Sequence, residues 1–410
     1  MNMAPRRSTV IAGVSVVTAG SMTANAAAYL LHLPASRWLG PAGYGEFASL
    51  LAAQLIVAVP ALALQMVIAR EVVTARLDGR AATSQFRRLG YSTAALVALA
   101  ALVAAPMVAS VLNTSLAAAA AALFAAPALV LLATEQGLLQ GQHRFTELAA
   151  VLAGAGIARV GPAVVTLALG GGPAAALAAA ALGALAAAIG ANMLVRLGPG
   201  ADGDSPRVAR TARQEDKRLS VTAVLRASQI QLAIVVFTSL DLVLARVVFE
   251  DTLTGQYALG AVAAKVAFWL PHAVGIVFFP RMANPSLTRS ALKFTIAVLA
   301  ALGVLMVIAA AVLAPVVPVL VGEDYRPIVG LLWLFAAQGA VLAILQGVLL
   351  SAIARDRTAV SLVVWGGLAV EGALLLTLPL TLTTFLLVAL GSAAVTTLLA
   401  LVTVQAALRR

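Results

Sequence analysis

The sequence predicts an all-α membrane protein of about twelve transmembrane helices, arranged as two pseudo-symmetric six-helix lobes. Of its 410 residues, 62% are hydrophobic and only 10% are charged, and the mean hydropathy is +1.02. This composition is too apolar for the surface of a soluble globular protein. The apolar residues form spans of about 20 or more, which is the length that crosses a hydrocarbon core. A layout that returns in the second half of the chain predicts the two lobes.

Twelve apolar spans lie between breaks rich in Gly, Pro and charged residues. They cover residues 9–33, 45–69, 89–112, 115–137, 148–169, 173–195, 220–241, 255–280, 290–314, 327–352, 358–379 and 382–408. The first span has a second interpretation as a cleaved signal peptide, because Arg6 and Arg7 precede it and Ala24-Asn25-Ala26 has a small-x-small pattern. Its length of about 25 residues and its counterpart at 220–241 favour a retained membrane span.

The internal repeat is read from two tyrosines that open matching spans. Tyr44 lies in a polar break at 37–47 and opens a span that ends at Arg70, and Tyr257 opens a span that ends at Arg281. The two offsets agree within about two residues, as expected of a gapped repeat. We therefore expect Tyr44 and Tyr257 to occupy equivalent places.

The longest break predicts where the chain divides. Residues 198–218 run through Gly, Pro, Asp and Ser into a basic cluster, which is typical of a flexible linker. We expect an N-terminal lobe at 1–197, a cytoplasmic linker at 198–218 and a C-terminal lobe at 219–410. The basic cluster is interpreted as an orientation signal, with binding of anionic lipid head groups as the alternative.

The charges between the spans predict the orientation in the membrane. If the amino terminus is cytoplasmic and the sides alternate, 21 of the 27 basic residues fall on the cytoplasmic side. Only Arg37, Arg246 and Arg326 fall on the outer side. The positive-inside rule then predicts a multi-pass protein of the inner or plasma membrane with both termini cytoplasmic. Topology thus explains the net charge of +11, and we expect no nucleic acid as a partner.

The sequence predicts neither an enzyme nor a cofactor. Cysteine is absent, and the three histidines form no His-x-x-His spacing. No paired carboxylates and no large loop offer a place for a catalytic site. We therefore expect no catalytic residue and no metal ligand.

A few ionisable residues lie inside the predicted spans, where each is costly unless it faces protein or water. Arg159 and Lys265 lie near the middle of the membrane, and Arg226 lies near the cytoplasmic end of the seventh span. Glu371 lies near the middle of the eleventh span, and Asp241 closes the seventh span on its outer side. These five residues are the candidate functional groups.

Each of these positions also has a purely structural interpretation. Arg226, and likewise Glu135 in the fourth span, could snorkel to the cytoplasmic interface. Asp241 could be an outer-surface residue. Lys265 and Glu371 could form a buried pair that only fastens helices.

Two groups of residues resemble motifs of one transporter family. Arg37-x-Leu39-Gly40-Pro41-x-x-Tyr44-Gly45-x-Phe47 resembles the break after the first span in polysaccharide-biosynthesis (O-antigen-type) flippases of the multidrug/oligosaccharidyl-lipid/polysaccharide exporter superfamily. The opening of the second half resembles the same family through Asp241-Leu-Val-Leu-Ala-Arg246, Gly255-x-Tyr257 and Phe279-Pro280-Arg281.

The resemblance implies an inner-membrane transporter that moves a lipid-diphosphate-linked oligosaccharide by alternating access through a cavity between two lobes. Cations would hold the diphosphate, and Arg159, Arg226 and Lys265 have the right charge and depth for that role. Asp241 and Glu371 are the candidates for binding a coupling proton or sodium ion. Membrane lipids, and a glycosyltransferase or polymerase of the same pathway, are the expected partners.

Three alternatives remain open from the sequence. A cation-coupled drug or metabolite antiporter of the same superfamily would use an acidic site such as Asp241 or Glu371. A non-transporting membrane scaffold for glycosyltransferases would need neither site. A facilitator-type carrier would need a loop signature of which residues 76–80 offer only fragments.

Overall fold

The computed structural model describes residues 7–74, 80–197, 229, 231–269, 288–353 and 360–409. All regular secondary structure in these ranges is helical. The first seven helices are α1 (Arg7–Val57), α2 (Val59–Thr74), α3 (Arg80–Val111), α4 (Leu116–Leu123), α5 (Ala125–Gly141), α6 (Phe145–Ala168) and α7 (Pro173–Leu197). They form five stretches that are long and apolar enough to cross a membrane, namely α1 with α2, α3, α4 with α5, α6 and α7.

The second half of the chain is also helical wherever the structure describes it. It contains α8 (Gln231–Phe237), α9 (Leu240–Val248), α10 (Asp251–Trp269), α11 (Thr288–Leu313), α12 (Val317–Val321), α13 (Leu332–Ile353), α14 (Val360–Thr377) and α15 (Leu382–Arg409). Short 3₁₀ helices at Ala314–Val316 and Glu323–Leu331 flank α12.

The predicted spans coincide with these helices. Within the described ranges, nine helical stretches are long and apolar enough to cross a membrane, or ten if the bent pair α8–α9 forms one span. The first stretch, Ser15–Val73, contains both the first and the second predicted span. α10 covers the described part of the eighth span. The protein is an all-α, multi-pass membrane protein, as the sequence predicts.

The break between the first two spans is narrower than expected. Helical structure continues on both sides of Gly40, whose dihedral angles of φ 66° and ψ 176° kink α1. Glycine adopts this conformation easily because it has no Cβ. Pro41 follows directly, at a position where a helix start loses nothing from the missing N–H. The predicted polar loop at 37–47 is therefore a one-residue kink, and Tyr44 lies fully buried just beyond it.

The seventh span ends later than predicted. The sequence places its outer end at Asp241, but α8 stops at Phe237, two residues form a bend, and α9 continues to Val248. Asp241 therefore lies in the first turn of α9 and is buried, with 3% of its surface exposed. The interpretation of Asp241 as an outer-surface residue is wrong.

The helices pack into two units that do not follow the order of the chain. Unit 1 comprises Met1–Leu31, Val57–Ser110 and Thr114–Ser228, and unit 2 comprises His32–Ile56, Val111–Asn113 and Gln229–Arg410. The second half of α1 thus belongs with the C-terminal helices. The lobes expected at 1–197 and 219–410, and their pseudo-symmetry, stay predictions.

The core of unit 1 is formed by α2, α5, α6 and α7. Leu64 and Ile68 of α2 pack with Val130 and Leu139 of α5, all fully buried. Small residues bring the helices close together, because a Cβ on Gly183 of α7 would meet the backbone of α6. This close packing is what the Ala-rich sequence of α7 allows.

The core of unit 2 is formed by α10, α11, α13 and α15. The motif at the kink of α1 packs onto the motif that opens α10, since a Cβ on Gly255 would lie only 1.8 Å from the carbonyl oxygen of Pro41. Tyr257, two residues further along, is fully buried with its ring against Phe335 and Phe385. The two sequence motifs are therefore in direct contact inside one unit.

Arg246, which the sequence places in an outer loop, is a buried residue of α9. Its Nε donates to the carbonyl oxygen of Leu112 at 2.9 Å, and one Nη donates to that of Asn113 at 3.2 Å. The other Nη pairs with Asp251 at 2.6 Å. Arg246 thereby fixes the turn after α3 to unit 2.

Candidate functional site

The buried acidic cluster of unit 2 is centred on Asp241. At the bend between α8 and α9 a new helix begins, so the backbone N–H groups of its first turn have no partner within the helix. Asp241 Oδ1 accepts one of them, the N–H of Leu242, at 2.8 Å. Its Oδ2 accepts the hydroxyl of Tyr257 at 2.8 Å and Nε2 of Gln338 at 2.9 Å. Three donors from α9, α10 and α13 therefore hold this carboxylate in place.

Glu371 of α14 is the second acid of the cluster, and its surroundings differ. It is 0% exposed, and neither carboxyl oxygen has a hydrogen-bond partner among the described residues. α14 packs on α9 at this level, where the Cβ position of Gly372 lies 3.9 Å from Leu240 Cδ2. Asp241 and Glu371 thus lie within electrostatic range of each other.

Two more oxygen atoms of the cluster are buried without a described partner. Gln338 donates its amide N–H to Asp241, but its Oε1 is unpaired, and so is the hydroxyl of Ser239 at the start of α9. In the interior of a membrane protein, such acceptors are costly unless a proton or cation reaches them. The cluster therefore contains four side-chain oxygens that no described donor reaches, namely both of Glu371, Gln338 Oε1 and Ser239 Oγ.

Lys265 supplies a positive charge near the acidic cluster. It is half-buried on α10, two turns after Tyr257, and it lies within electrostatic range of Asp241 and His32. The suggested buried pair of Lys265 with Glu371 is not joined by a hydrogen bond, because neither oxygen of Glu371 has a hydrogen-bond partner among the described residues.

A second polar network in unit 2 begins at His32. His32 Nδ1 and the hydroxyl of Tyr44 lie 2.8 Å apart. Tyr44 packs edge-on against Tyr325, whose hydroxyl donates to the carbonyl oxygen of Ser36 at 3.2 Å. The first tyrosine of the repeat therefore takes part in a hydrogen-bonded network, as the second one does.

The structure does not bring all the predicted cations together. Arg159 lies on α6 in unit 1, half-buried, and its Nε has no partner among the described residues. Lys265 lies in unit 2. Arg226 lies outside the described residues. A shared role for Arg159, Arg226 and Lys265 stays a prediction.

Glu135 is buried and paired with other side chains. It is 3% exposed on α5, and Arg87 of α3 donates to both of its oxygens, at 2.9 and 3.1 Å. Asn192 Nδ2 of α7 adds a third hydrogen bond at 2.6 Å. The carboxylate is thus fully paired inside unit 1, 48 residues in sequence from its arginine.

Sequence analysis underrated several residues of these clusters. The sequence predicts Tyr257 only as a member of the repeat, and Gln338 is not among the five candidate functional groups. Both donate to Asp241. A tyrosine and a glutamine inside apolar spans were the available signs of a buried polar site. That both contact Asp241 depends on how the helices pack, which a single sequence does not reveal.

Together, the fold and the acidic cluster define a multi-pass helical membrane protein with a buried oxygen-rich site. The sequence matches no protein-family model and no curated protein. Solved structures with a similar fold were found. One is a multidrug resistance MATE family transporter of the MOP superfamily in an inward-facing conformation, with a TM-score of 0.70 at 12% identity over 93% of this chain and 94% of the other.

Two further structures give the same result. The eukaryotic MATE transporter AtDTX14 aligns with a TM-score of 0.61 at 12% identity, over 97% of this chain and 96% of the other. A MOP superfamily transporter from Pyrococcus furiosus aligns with a TM-score of 0.58 at 15% identity over the same shares. The chain has the fold of MATE transporters, which confirms the fold that the resemblance to the exporter superfamily implied.

Proposed function

We propose that the protein is a membrane transporter driven by a proton or sodium ion that binds at the acidic cluster of unit 2. The observation that carries this proposal is the fully buried Glu371, whose two oxygens have no described partner. An ionised carboxylate in that position costs several kcal/mol. A bound proton or sodium ion removes this cost, so occupancy of Glu371 follows the cation gradient.

The two acids of the cluster have different tasks in this proposal. Asp241 accepts hydrogen bonds from three donors, so its carboxylate is held in one position, from which it attracts a cation. Glu371 has no such donors and is the group that gains and loses the cation. The unpaired Oε1 of Gln338 completes the set of oxygen ligands.

The fold supports transport by alternating access. MATE transporters of this fold have been solved in inward-facing and outward-facing conformations, with TM-scores to this chain of 0.70 and 0.58. A cation that binds one of two conformations more tightly shifts the equilibrium between them. Binding at Glu371 would thus be linked to the direction in which the transporter opens.

The test measures cation binding without knowledge of the cargo. A ligand that binds only the native state raises its stability by RT ln(1 + [L]/Kd), about 2.7 kcal/mol at 100 Kd. The melting temperature of the purified protein should therefore rise with sodium concentration or with falling pH. Glu371→Gln should abolish this rise, and the exposed Glu323→Gln should keep it. An unchanged cation response in Glu371→Gln would refute the proposal.

The proposed cargo is a lipid-diphosphate-linked oligosaccharide at the inner membrane. Its support is the resemblance of the two motifs to polysaccharide flippases, together with Arg159 of unit 1, whose Nε is buried without a described partner. A diphosphate needs such cations to leave water. Lys265 and Arg226 are proposed to share this role, with glycosyltransferases or a polymerase of the same pathway as partners.

Complementation of a strain that lacks its polysaccharide flippase tests the cargo. The wild-type chain should prevent accumulation of lipid-linked repeat units, and Arg159→Ala or Lys265→Ala should lose this activity at normal protein abundance. Arg159→Lys should retain part of it, because charge is what the diphosphate needs. Normal activity of both alanine variants would contradict the role of these cations.

A drug or metabolite antiporter is the second candidate, and the acidic cluster favours it. A cationic drug and a coupling cation can compete for buried carboxylates such as Glu371. The same strains, scored for sensitivity to cationic drugs, distinguish the two cargoes. Drug resistance without rescue of the glycan defect would assign the antiporter, and neither effect would favour a scaffold.

A further inference from the structure

A cavity of about 220 Å³ lies on the surface of unit 1, between α3, α5 and α7. Its floor is polar and consists of Arg87, Glu135 and Asn192, which we call the polar floor. Its wall is apolar, with Leu185 and Ile189 of α7 among the lining residues. The cavity is unrelated to the acidic cluster, which belongs to unit 2.

The polar floor places opposite charges side by side in fixed positions. Arg87 donates twice to Glu135, and Asn192 donates to the same carboxylate. Because these bonds come from three helices, both charged groups keep their geometry. The floor has no net charge, so a lone anion or a lone cation gains little there.

We expect the polar floor to lie at the depth where lipid head groups meet hydrocarbon. Arg87, Glu135 and Asn192 lie between five and seven residues from the ends of their helices. At 1.5 Å per residue this is roughly 8 to 10 Å. The head-group region of a bilayer is about 5 to 8 Å thick on each side. A head group can therefore reach the floor from the bilayer.

The apolar wall is exposed on the surface of unit 1, where we expect it to meet lipid. Leu185, Ile189 and Met193 follow one another along one side of α7 and are 41%, 48% and 57% exposed. In a protein that spans the membrane, exposed apolar side chains at this depth contact acyl chains. Tyr91 of α3 closes the other side of the groove, with its ring about half exposed.

We infer that this groove binds one phospholipid with a zwitterionic head group that carries a phosphate and a primary ammonium. The phosphate lies towards Arg87, the ammonium lies towards Glu135 and the amide oxygen of Asn192, and an acyl chain follows α7. The paired charges of the floor complement the paired charges of this head group. An anionic head group would leave Glu135 opposed to a second negative charge.

Native mass spectrometry of the full chain tests the site. The protein is purified from an equal mixture of phosphatidylethanolamine and phosphatidylglycerol, and the retained lipid is identified. We expect retention of one phosphatidylethanolamine with a preference of about tenfold, the size of one charge-assisted hydrogen bond. Ile189→Trp fills the groove and should lower this retention about tenfold, as should Met193→Trp, a second filling variant.

The matched control is Leu182→Trp, on the same helix, 68% exposed and outside the groove. It adds the same ring to the lipid-facing surface, so it should leave retention unchanged. All three variants alter lipid-facing positions, and their melting temperatures are measured alongside. Equal retention of the two lipids, a preference for phosphatidylglycerol, or full retention in both groove variants would overturn the inference.

Discussion

Asp241 is a buried residue whose hydrogen bonds make it part of the frame of unit 2. Three donors converge on its two oxygens, and two of them, the Tyr257 hydroxyl and the Gln338 amide, are themselves buried. A buried donor that loses its acceptor costs about 1–3 kcal/mol. The carboxylate of Asp241 therefore stabilises the packing of α9 against α10 and α13.

Removal of this carboxylate should lower the stability of the protein. Asp241→Ala is expected to reduce the free energy of unfolding by about 1–3 kcal/mol, because it leaves the Tyr257 and Gln338 donors without an acceptor. Denaturation of the purified protein in detergent measures the effect. Asp324→Ala, at an exposed position, should change stability by less than about 0.5 kcal/mol.

The double variant separates this cause from a general loss of packing. Tyr257→Phe removes one of the orphaned donors, so combining it with Asp241→Ala should cost less than the sum of the single variants. Strict additivity would show that the Tyr257 hydroxyl and Asp241 are not energetically coupled.

Residue-level roles were only partly predictable from the sequence. Glu371 was identified by its depth in an apolar span, since a carboxyl group there has few structural uses. Glu135 was misread, because its partners Arg87 and Asn192 are 48 and 57 residues away in sequence. Burial of a charge can be inferred from local hydropathy, but its partner depends on the packing of helices.

At the scale of elements, the positions of the spans could be predicted and their ends could not. Hydropathy and length report directly on a membrane crossing, so every predicted span coincides with a helix where the chain is described. The end of the seventh span was misplaced because Asp241 resembles an interfacial charge. Asp241 instead accepts hydrogen bonds from side chains of α10 and α13. These helices are distant in sequence, so the residues around Asp241 do not reveal the contact.

The contact between α1 and α10 depends on a glycine. A Cβ at Gly255 would lie 1.8 Å from the carbonyl oxygen of Pro41, so any larger residue must push the helices apart. Gly255→Ala should destabilise the protein by about 1–3 kcal/mol, the usual cost of overpacking. Thermal unfolding in detergent provides the measurement.

Gly391 of α15 offers the matched control for this substitution. It also lies within a helix, but nothing lies within 4 Å of its Cβ position. Gly391→Ala should leave stability unchanged or raise it by about 0.5–1 kcal/mol, because alanine is the better helix former. A similar loss in both variants would argue against close packing at Gly255.

At the scale of the whole molecule, the orientation in the membrane is a prediction from charge alone. Because the sequence has no cysteine, single cysteines can be introduced for labelling. A membrane-impermeant thiol reagent applied from outside should label Gly171→Cys and Glu323→Cys, and it should not label Ser205→Cys. Labelling at position 205 from outside would reverse the predicted topology.

The division into units has a consequence for biosynthesis. Residues 32–56 belong to unit 2, but the other helices of that unit follow only from Gln229 onwards. Gly255, on which Pro41 packs, leaves the ribosome about 210 residues after it, a delay of roughly 10–40 s at usual rates of synthesis. During that interval the second half of α1 lies in the membrane without the helices that pack against it in the folded protein. A fragment ending at the linker would lack the helices that pack on the second half of α1. We therefore expect quality-control proteases to degrade such a fragment faster than the full chain.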